Sequence, residues 1–263
     1  MKTDKMATIR NSKFKIRNSA AFTLVEMLVV ISIIAILAGM LLPALSAGKI
    51  AAQKTQVKLE INHLATAIQN YDSAYSQFPV SSLAQANANP DFTYGAVFPT
   101  PTAPFTDNLL NGAYAMGNCE VISILMDYTN YPNGSGWTIN TNHQKNPQQT
   151  LFLNAKMSVS TDSLVGVGKD LVYRDLWGNP YVISMDLNYD EQCKDAFYCL
   201  DKVSHGGLNG LVNPDGSSAT TGNWQYHGKV MVWSAGPDGK IDPLSPASGA
   251  TAGANRDNIL SWQ

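Results

Sequence analysis

Residues 20–45 read AAFTLVEMLVVISIIAILAGMLLPAL, and the run from Phe22 to Leu42 within them is almost wholly apolar. At about 1.5 Å per helical residue such a run spans roughly the 30 Å hydrocarbon core of a bilayer. It predicts a membrane helix, and one longer than the apolar core of a secretory signal, which runs to about 7 to 15 residues. A single ionisable side chain, Glu26, interrupts it. A carboxylate at the centre of a spanning helix costs about 2.5 to 3.5 kcal/mol; near the helix start it costs less and faces the positive end of the macrodipole. A free α-amino group nearby suits that charge better still, which points to Phe22 as a new N-terminus.

The run Ala21-Phe22-Thr23-Leu24-Val25-Glu26, behind a basic leader and ahead of an apolar stretch, resembles the processing site of type IV prepilins and type II secretion pseudopilins. The resemblance implies that a membrane-embedded prepilin peptidase cuts between Ala21 and Phe22 and methylates the Phe22 amine. It also implies that Glu26, fifth in the mature chain, serves assembly and that Pro43, the twenty-second, loosens the helix. The residue before the cut, usually glycine, is Ala21. An ordinary signal anchor is the competing reading of the segment, but it leaves the spacing of Phe22, Glu26 and Pro43 unexplained.

The chain has 263 residues, 44% of them hydrophobic, enough for a substantial core. Its formal charge of −2 hides an asymmetry. Residues 1–21 hold six of the 18 basic residues (Lys2, Lys5, Arg10, Lys13, Lys15, Arg17) and one of the 20 acidic ones, Asp4. The rest is left at about −7, which argues against nucleic acid as the main partner. A basic leader stays cytoplasmic, so the bulk of the chain is expected across the inner membrane, in the periplasm of a bacterium. Three cysteines, Cys119, Cys193 and Cys199, suit an oxidising compartment. A Cys193–Cys199 disulfide is the expected pairing and three buried thiols the alternative.

Three regions are expected: a leader over 1–21, a long helix over 22–78, and a globular periplasmic domain over 79–263. Within the helix, 22–42 is transmembrane and 43–78 amphipathic, since Ile50, Val57, Ile61, Leu64, Ile68, Tyr71 and Tyr75 recur at helical spacing. Phe78-Pro79 marks its end. Residues 80–169 read as a surface excursion rich in Pro, Ala, Asn and Thr. It carries a short helix capped by Asn118, with Val121, Ile122, Leu125 and Met126 turned inward, and a second one around 148–155. Residues 170–263 read as a small antiparallel sheet and a C-terminal loop, with strands at 171–173, 181–185 and 230–233. The fold class is α+β, a long N-terminal helix packed on that sheet in the type IV pilin manner.

Asp175-Leu-Trp-Gly-Asn-Pro-Tyr181 narrows the resemblance to the major pseudopilin of type II secretion, where a similar run, with proline in place of Leu176, opens the sheet. Trp233-Ser-Ala-Gly-Pro-Asp-Gly239, followed by Asp257-Asn-Ile-Leu-Ser-Trp262, resembles that subunit's calcium-holding loop. The resemblance implies Asp238, Asp242 and Asp257 as side-chain ligands of a structural Ca2+ and the Ala235 carbonyl as a main-chain one. Calcium takes six to eight oxygens, so acids folded over a glycine turn suit it. The stretch between Asp242 and Asp257 is longer than the family pattern. A rival loop, Asp186-Leu-Asn188-Tyr-Asp190-Glu191, matches the first three oxygen-ligand positions of an EF-hand but has Glu191 where glycine belongs and Phe197 at the twelfth position, so it reads as a polar turn.

Catalytic motifs are missing: the sequence holds no His-Glu-x-x-His, Gly-x-Ser-x-Gly or Walker loop, and His205-Gly206-Gly207 reads as a turn. No enzyme activity is expected. The expected role is a structural subunit of a type II secretion pseudopilus or type IV pilus-like filament. Its partners would be copies of itself, other pseudopilins, prepilin peptidase, an inner-membrane assembly platform and membrane lipid. A tethered binding or hydrolytic module that does not polymerise is the alternative.

Overall fold

The computed structural model describes residues 22–95, 117–158, 165–205, 210–214, 222–247 and 253–263. Helix α1 runs over Leu24–Tyr75, 52 residues with Pro43 inside it. Contacts divide the chain into two units, one ending at Gly48 and the other spanning Lys49–Gln263.

In the first unit the large apolar side chains from Phe22 to Leu45 are exposed. Among the described residues α1 is the one helix long and apolar enough to cross a membrane. In the second unit α1 turns amphipathic as its spacing predicts: Val57, Ile61, Leu64, Ile68 and Tyr71 are fully buried, while Ile50 stays exposed and Tyr75 half-buried. The helix ends three residues before Phe78. There Ser76 adopts a left-handed φ of 52° and its N–H reaches the Asp72 carbonyl at 2.7 Å, closing the last turn without glycine.

The buried half of α1 packs on a four-stranded antiparallel sheet. In chain order the other elements are α2 (Ser82–Ala86), β1 (Phe92–Tyr94), α3 (Cys119–Leu125), β2 (Gly166–Val167), β3 (Tyr173–Arg174) and β4 (Val182–Met185). After them come β5 (Gln192–Cys193), α4 (Asp201–Ser204), β6 (Tyr226–His227), β7 (Val230–Ser234) and β8 (Ile259–Leu260). The main sheet has the order β1-β4-β7-β8, with Phe92 opposite Met185 and Val182 opposite Trp233; β2-β3 and β5-β6 form two small ladders.

Alternation along β4 and β7 serves both faces of the sheet. Ile183, Met185, Val230 and Val232 join the α1 stripe and α3 in one cluster. Val182, Met231 and Trp233 join Phe197, Tyr198 and Leu260 in another, beneath the C-terminal segments. Because both faces are covered, these strands read as nearly continuous apolar runs.

Three expectations change. The stretch taken as a surface excursion contributes β1, an edge strand of the main sheet, so the sheet does not begin at 170. Asn118 precedes α3 but does not cap it with its side chain. Instead its amide donates to the Tyr173 and Tyr181 carbonyls (2.9 and 2.8 Å) and accepts from the Tyr173 N–H (2.9 Å), standing in for a strand neighbour where β3 and β4 part. Residues 148–155 form no helix: the N–H groups of Phe152 and Leu153 are drawn to the Leu125 carbonyl at the end of α3, which holds the segment against that end.

Candidate functional site

The N-terminal turn of α1 is a reciprocal cap. Thr23 donates to Glu26 Oε2 through both its main-chain N–H (2.8 Å) and its hydroxyl (2.6 Å), and the Glu26 N–H returns a bond to Thr23 Oγ1 (3.2 Å). This is the Thr-x-x-Glu box, which satisfies two of the donors that every helix start leaves open. Thr23 is the functional residue that sequence reasoning passed over, although the spacing was there to find. Phe22 lies just outside the helix, and Ala21, with the rest of the leader, is outside the described residues. Below this polar cap the helix presents apolar side chains on every side, a surface for lipid or for other helices.

At the opposite end of the sequence, the turn that follows β3 is fastened to the loop that follows β7. The Asp175 carboxylate, fully buried, accepts from the Trp177 and Asn179 N–H groups (2.8 and 2.9 Å), the Asn179 amide (3.1 Å) and the Ser234 hydroxyl (2.6 Å). The Asn179 amide also donates to the Gly236 carbonyl at 2.8 Å. Burial raises the Asp175 pKa although all four donors pull it down. Gly236 has to be glycine: at φ +72° a Cβ would meet the Asp257 carbonyl oxygen at 2.2 Å.

Asp238 and Asp257 come together in this loop, the Asp238 N–H reaching Asp257 Oδ2 at 3.3 Å. Burial, and then the Asp238 charge, lifts the Asp257 pKa, while Lys54 on α1 opposes the rise. Two carboxylates that repel each other beside a tight glycine turn are the donor chemistry that an oxygen-liganded cation relieves. Asp242 does not fit. Its carboxylate closes its own turn on the Leu244 N–H (2.9 Å) and the Ser245 hydroxyl (2.6 Å), and Asn255 ties down its main chain. Ala235 is buried directly after β7. Among the described residues no group of three or more His, Cys, Asp or Glu side chains is placed to hold a metal ion. Of the three acids expected to act together, the fold brings Asp238 and Asp257 to one turn and spends Asp242 on its own.

Cys193 and Cys199 remain thiols, as does Cys119. Cys193 is part of the apolar cluster with Val182 and Met231, and Cys199 Sγ lies 3.5 Å from the Ala196 carbonyl in the turn before α4. Burial pushes both thiols up, Cys199 to about 12. The Asp186 loop folds on itself, with Asp186 accepting from the Asp190 and Glu191 N–H groups (3.3 and 2.9 Å). His143 sits 2.8 Å from Asp127. Asp195 is a buried hub without a sequence signature: it accepts from Ser184, Trp233 and the N–H groups of Phe197 and Tyr198, tying β4 and β7 to the covering turn.

A family model, the prokaryotic N-terminal methylation motif, matches residues 16–42. The N-terminal segment is thus that of a type IV prepilin-like precursor, processed by prepilin peptidase and anchored in a membrane by a single pass. The α+β architecture behind it, a long helix with a small antiparallel sheet, is of the type IV pilin-like kind. No curated protein matches this chain and no solved structure matches it.

Proposed function

We propose that the chain is a structural subunit of a type II secretion pseudopilus or a closely related pilus-like filament. It is anchored in the inner membrane with residues 49–263 in the periplasm. The observation that carries this is the apolar half of α1, exposed on all sides and headed by one carboxylate at the helix start. Processing at Ala21-Phe22 would leave an amine four residues before Glu26, and a neighbouring subunit's amine would be the carboxylate's partner in the filament. Pro43 removes one rung of helix hydrogen bonding, which lets α1 bend where subunits pack. The turn motif 175–181 and the loop after β7 support the pseudopilin variant. A structural Ca2+ held by Asp238 and Asp257, with main-chain carbonyls completing the shell, belongs to the same proposal. The subunit itself performs no chemistry: an ATP-driven platform adds it, and its own surfaces do the rest.

The test compares Glu26→Gln with Glu26→Ala by cross-linking in the native membrane. Glutamine keeps the cap with Thr23 and removes only the charge; alanine removes both. Both variants should insert normally and yield at least about tenfold fewer cross-linked oligomers, the equivalent of about 1.4 kcal/mol. Oligomers at wild-type level in both would overturn the filament reading in favour of a simple tether.

A further inference from the structure

Asn133-Gly134-Ser135 is the one Asn-x-Ser/Thr triplet, with x other than proline, in all 263 residues. It forms the tip of a hairpin that leaves the domain after α3, closed by the Tyr131 N–H on the Gly136 carbonyl (3.0 Å) and by a bridge between Asn130 and Trp137. Residues 132–137 are all exposed. We infer that Asn133 is an N-glycosylation site, its side-chain amide accepting an oligosaccharide from a lipid-diphosphate donor. The inference rests on the extracytoplasmic placement of the domain proposed above.

The geometry at the tip suits that transfer. The Asn133 Oδ1 accepts from both the Ser135 N–H (2.9 Å) and the Ser135 hydroxyl (2.7 Å), so the amide carbonyl of this exposed residue is held and polarised. The main chain is pinned as well, the Asn133 N–H donating to the Lys169 carbonyl at 3.1 Å. Gly134 has φ +80° and open space around it, so a transferase can reach the amide from that side. Asn-Gly pairs are prone to lose the amide when the glycine nitrogen attacks the side-chain carbonyl. Here the Gly134 N–H is engaged with the Tyr131 carbonyl at 3.0 Å, which restrains that attack and preserves the acceptor.

Two aromatic residues flank the triplet. Tyr131 stands two residues before Asn133, half-buried with its hydroxyl against Cys119 Sγ at 3.7 Å, and Trp137 is 67% exposed on the return strand of the same hairpin. An exposed indole offers an apolar face for the C–H side of a first sugar and contributes nothing to the core. In the transfer, Asn133 Nδ2 bonds to the anomeric carbon and the anomeric C–O bond to the donor breaks. The lipid diphosphate leaves with the electron pair, and one amide proton passes to a base on the membrane transferase.

The test is mass spectrometry of one digest of the full-length protein from its native membrane, read at two peptides. The peptide bearing Asn133 should carry a mass increment of whole sugar residues. That increment should be retained in Ser135→Thr and lost in both Asn133→Gln and Ser135→Ala. A bare or deamidated Asn133 in protein whose other peptide begins at processed Phe22 would overturn the inference while leaving the filament reading intact. So would a sugar attached to Ser135. An unprocessed Met1 leader counts against the placement itself, and is read independently of the sugar.

Discussion

Asp91 shows what a single residue decides in this domain. It lies just before β1, 6% exposed, and its two oxygens accept from the Leu187 and Lys194 N–H groups at 3.0 and 2.6 Å. Burial, reinforced by the charges of Asp186 and Asp190, pushes its pKa up to about 7 against the two donors. The unfolded chain releases this proton near about 3.9, so the folded state holds it more tightly. The stabilisation it contributes is complete below about pH 4 and is lost as pH rises through about 7. Thermal unfolding of the detergent-solubilised chain should therefore show stability falling by about 2 kcal/mol, several degrees of Tm, between pH 5 and pH 8. Asp91→Asn should flatten that slope, whatever its effect on absolute stability. An unchanged slope in the variant, or a rise of stability with pH in the wild type, would contradict the assignment. None of this was legible in the sequence, because Asp91 reads as one more polar residue of a turn until its partners, about a hundred residues away, are in place. Thr23 is the opposite case: its role was written in the Thr-x-x-Glu spacing.

At the level of elements, the α1 stripe and α3 were legible from helical spacing, and β4 and β7 from apolar, β-branched runs bounded by turn residues. β1 was not, since three residues cannot establish a period and the strand exists only because β4 offers an open edge. The C-terminal loop lies between these cases. Its glycines announced a turn, and Gly236 packs directly on the Asp257 carbonyl, but spacing alone could not separate the facing acids Asp238 and Asp257 from Asp242, which is spent on its own turn. Calcium titration followed by thermal unfolding tests what that loop holds. With Asp238 and Asp257 as ligands, Ca2+ at 100 times its Kd should add about 2.7 kcal/mol of stability. Asp257→Asn should abolish the gain and Asp242→Asn should leave most of it. No gain in the wild type, or equal loss in both variants, would rule out the two-acid site. The expected Cys193–Cys199 bridge failed for a related reason: six residues of separation do not fix direction, and Cys193 faces the core between the sheet and its covering turn.

For the whole molecule, an apolar segment with no burial and a domain with a well-filled core share one helix, and only the first carries a match to a known family. The sequence made that segment plain because lipid selects composition, which any window of residues reveals. The domain's long-range ties are invisible there: Asp175 to Ser234, Tyr181 to Glu60 at 2.6 Å, Lys229 to Asp72 at 3.0 Å, and Lys58 to the carbonyls of Leu260 and Gln263. They join residues that no local pattern relates, and all but the first fasten the sheet and the C-terminus to α1. A prepilin-type precursor is defined by what happens at its N-terminus, so the most direct measurement is the mass of the N-terminal peptide of protein taken from its native membrane. A chain beginning at N-methylated Phe22 is the predicted result. An intact Met1 leader, or a cut beyond the apolar run, would contradict it.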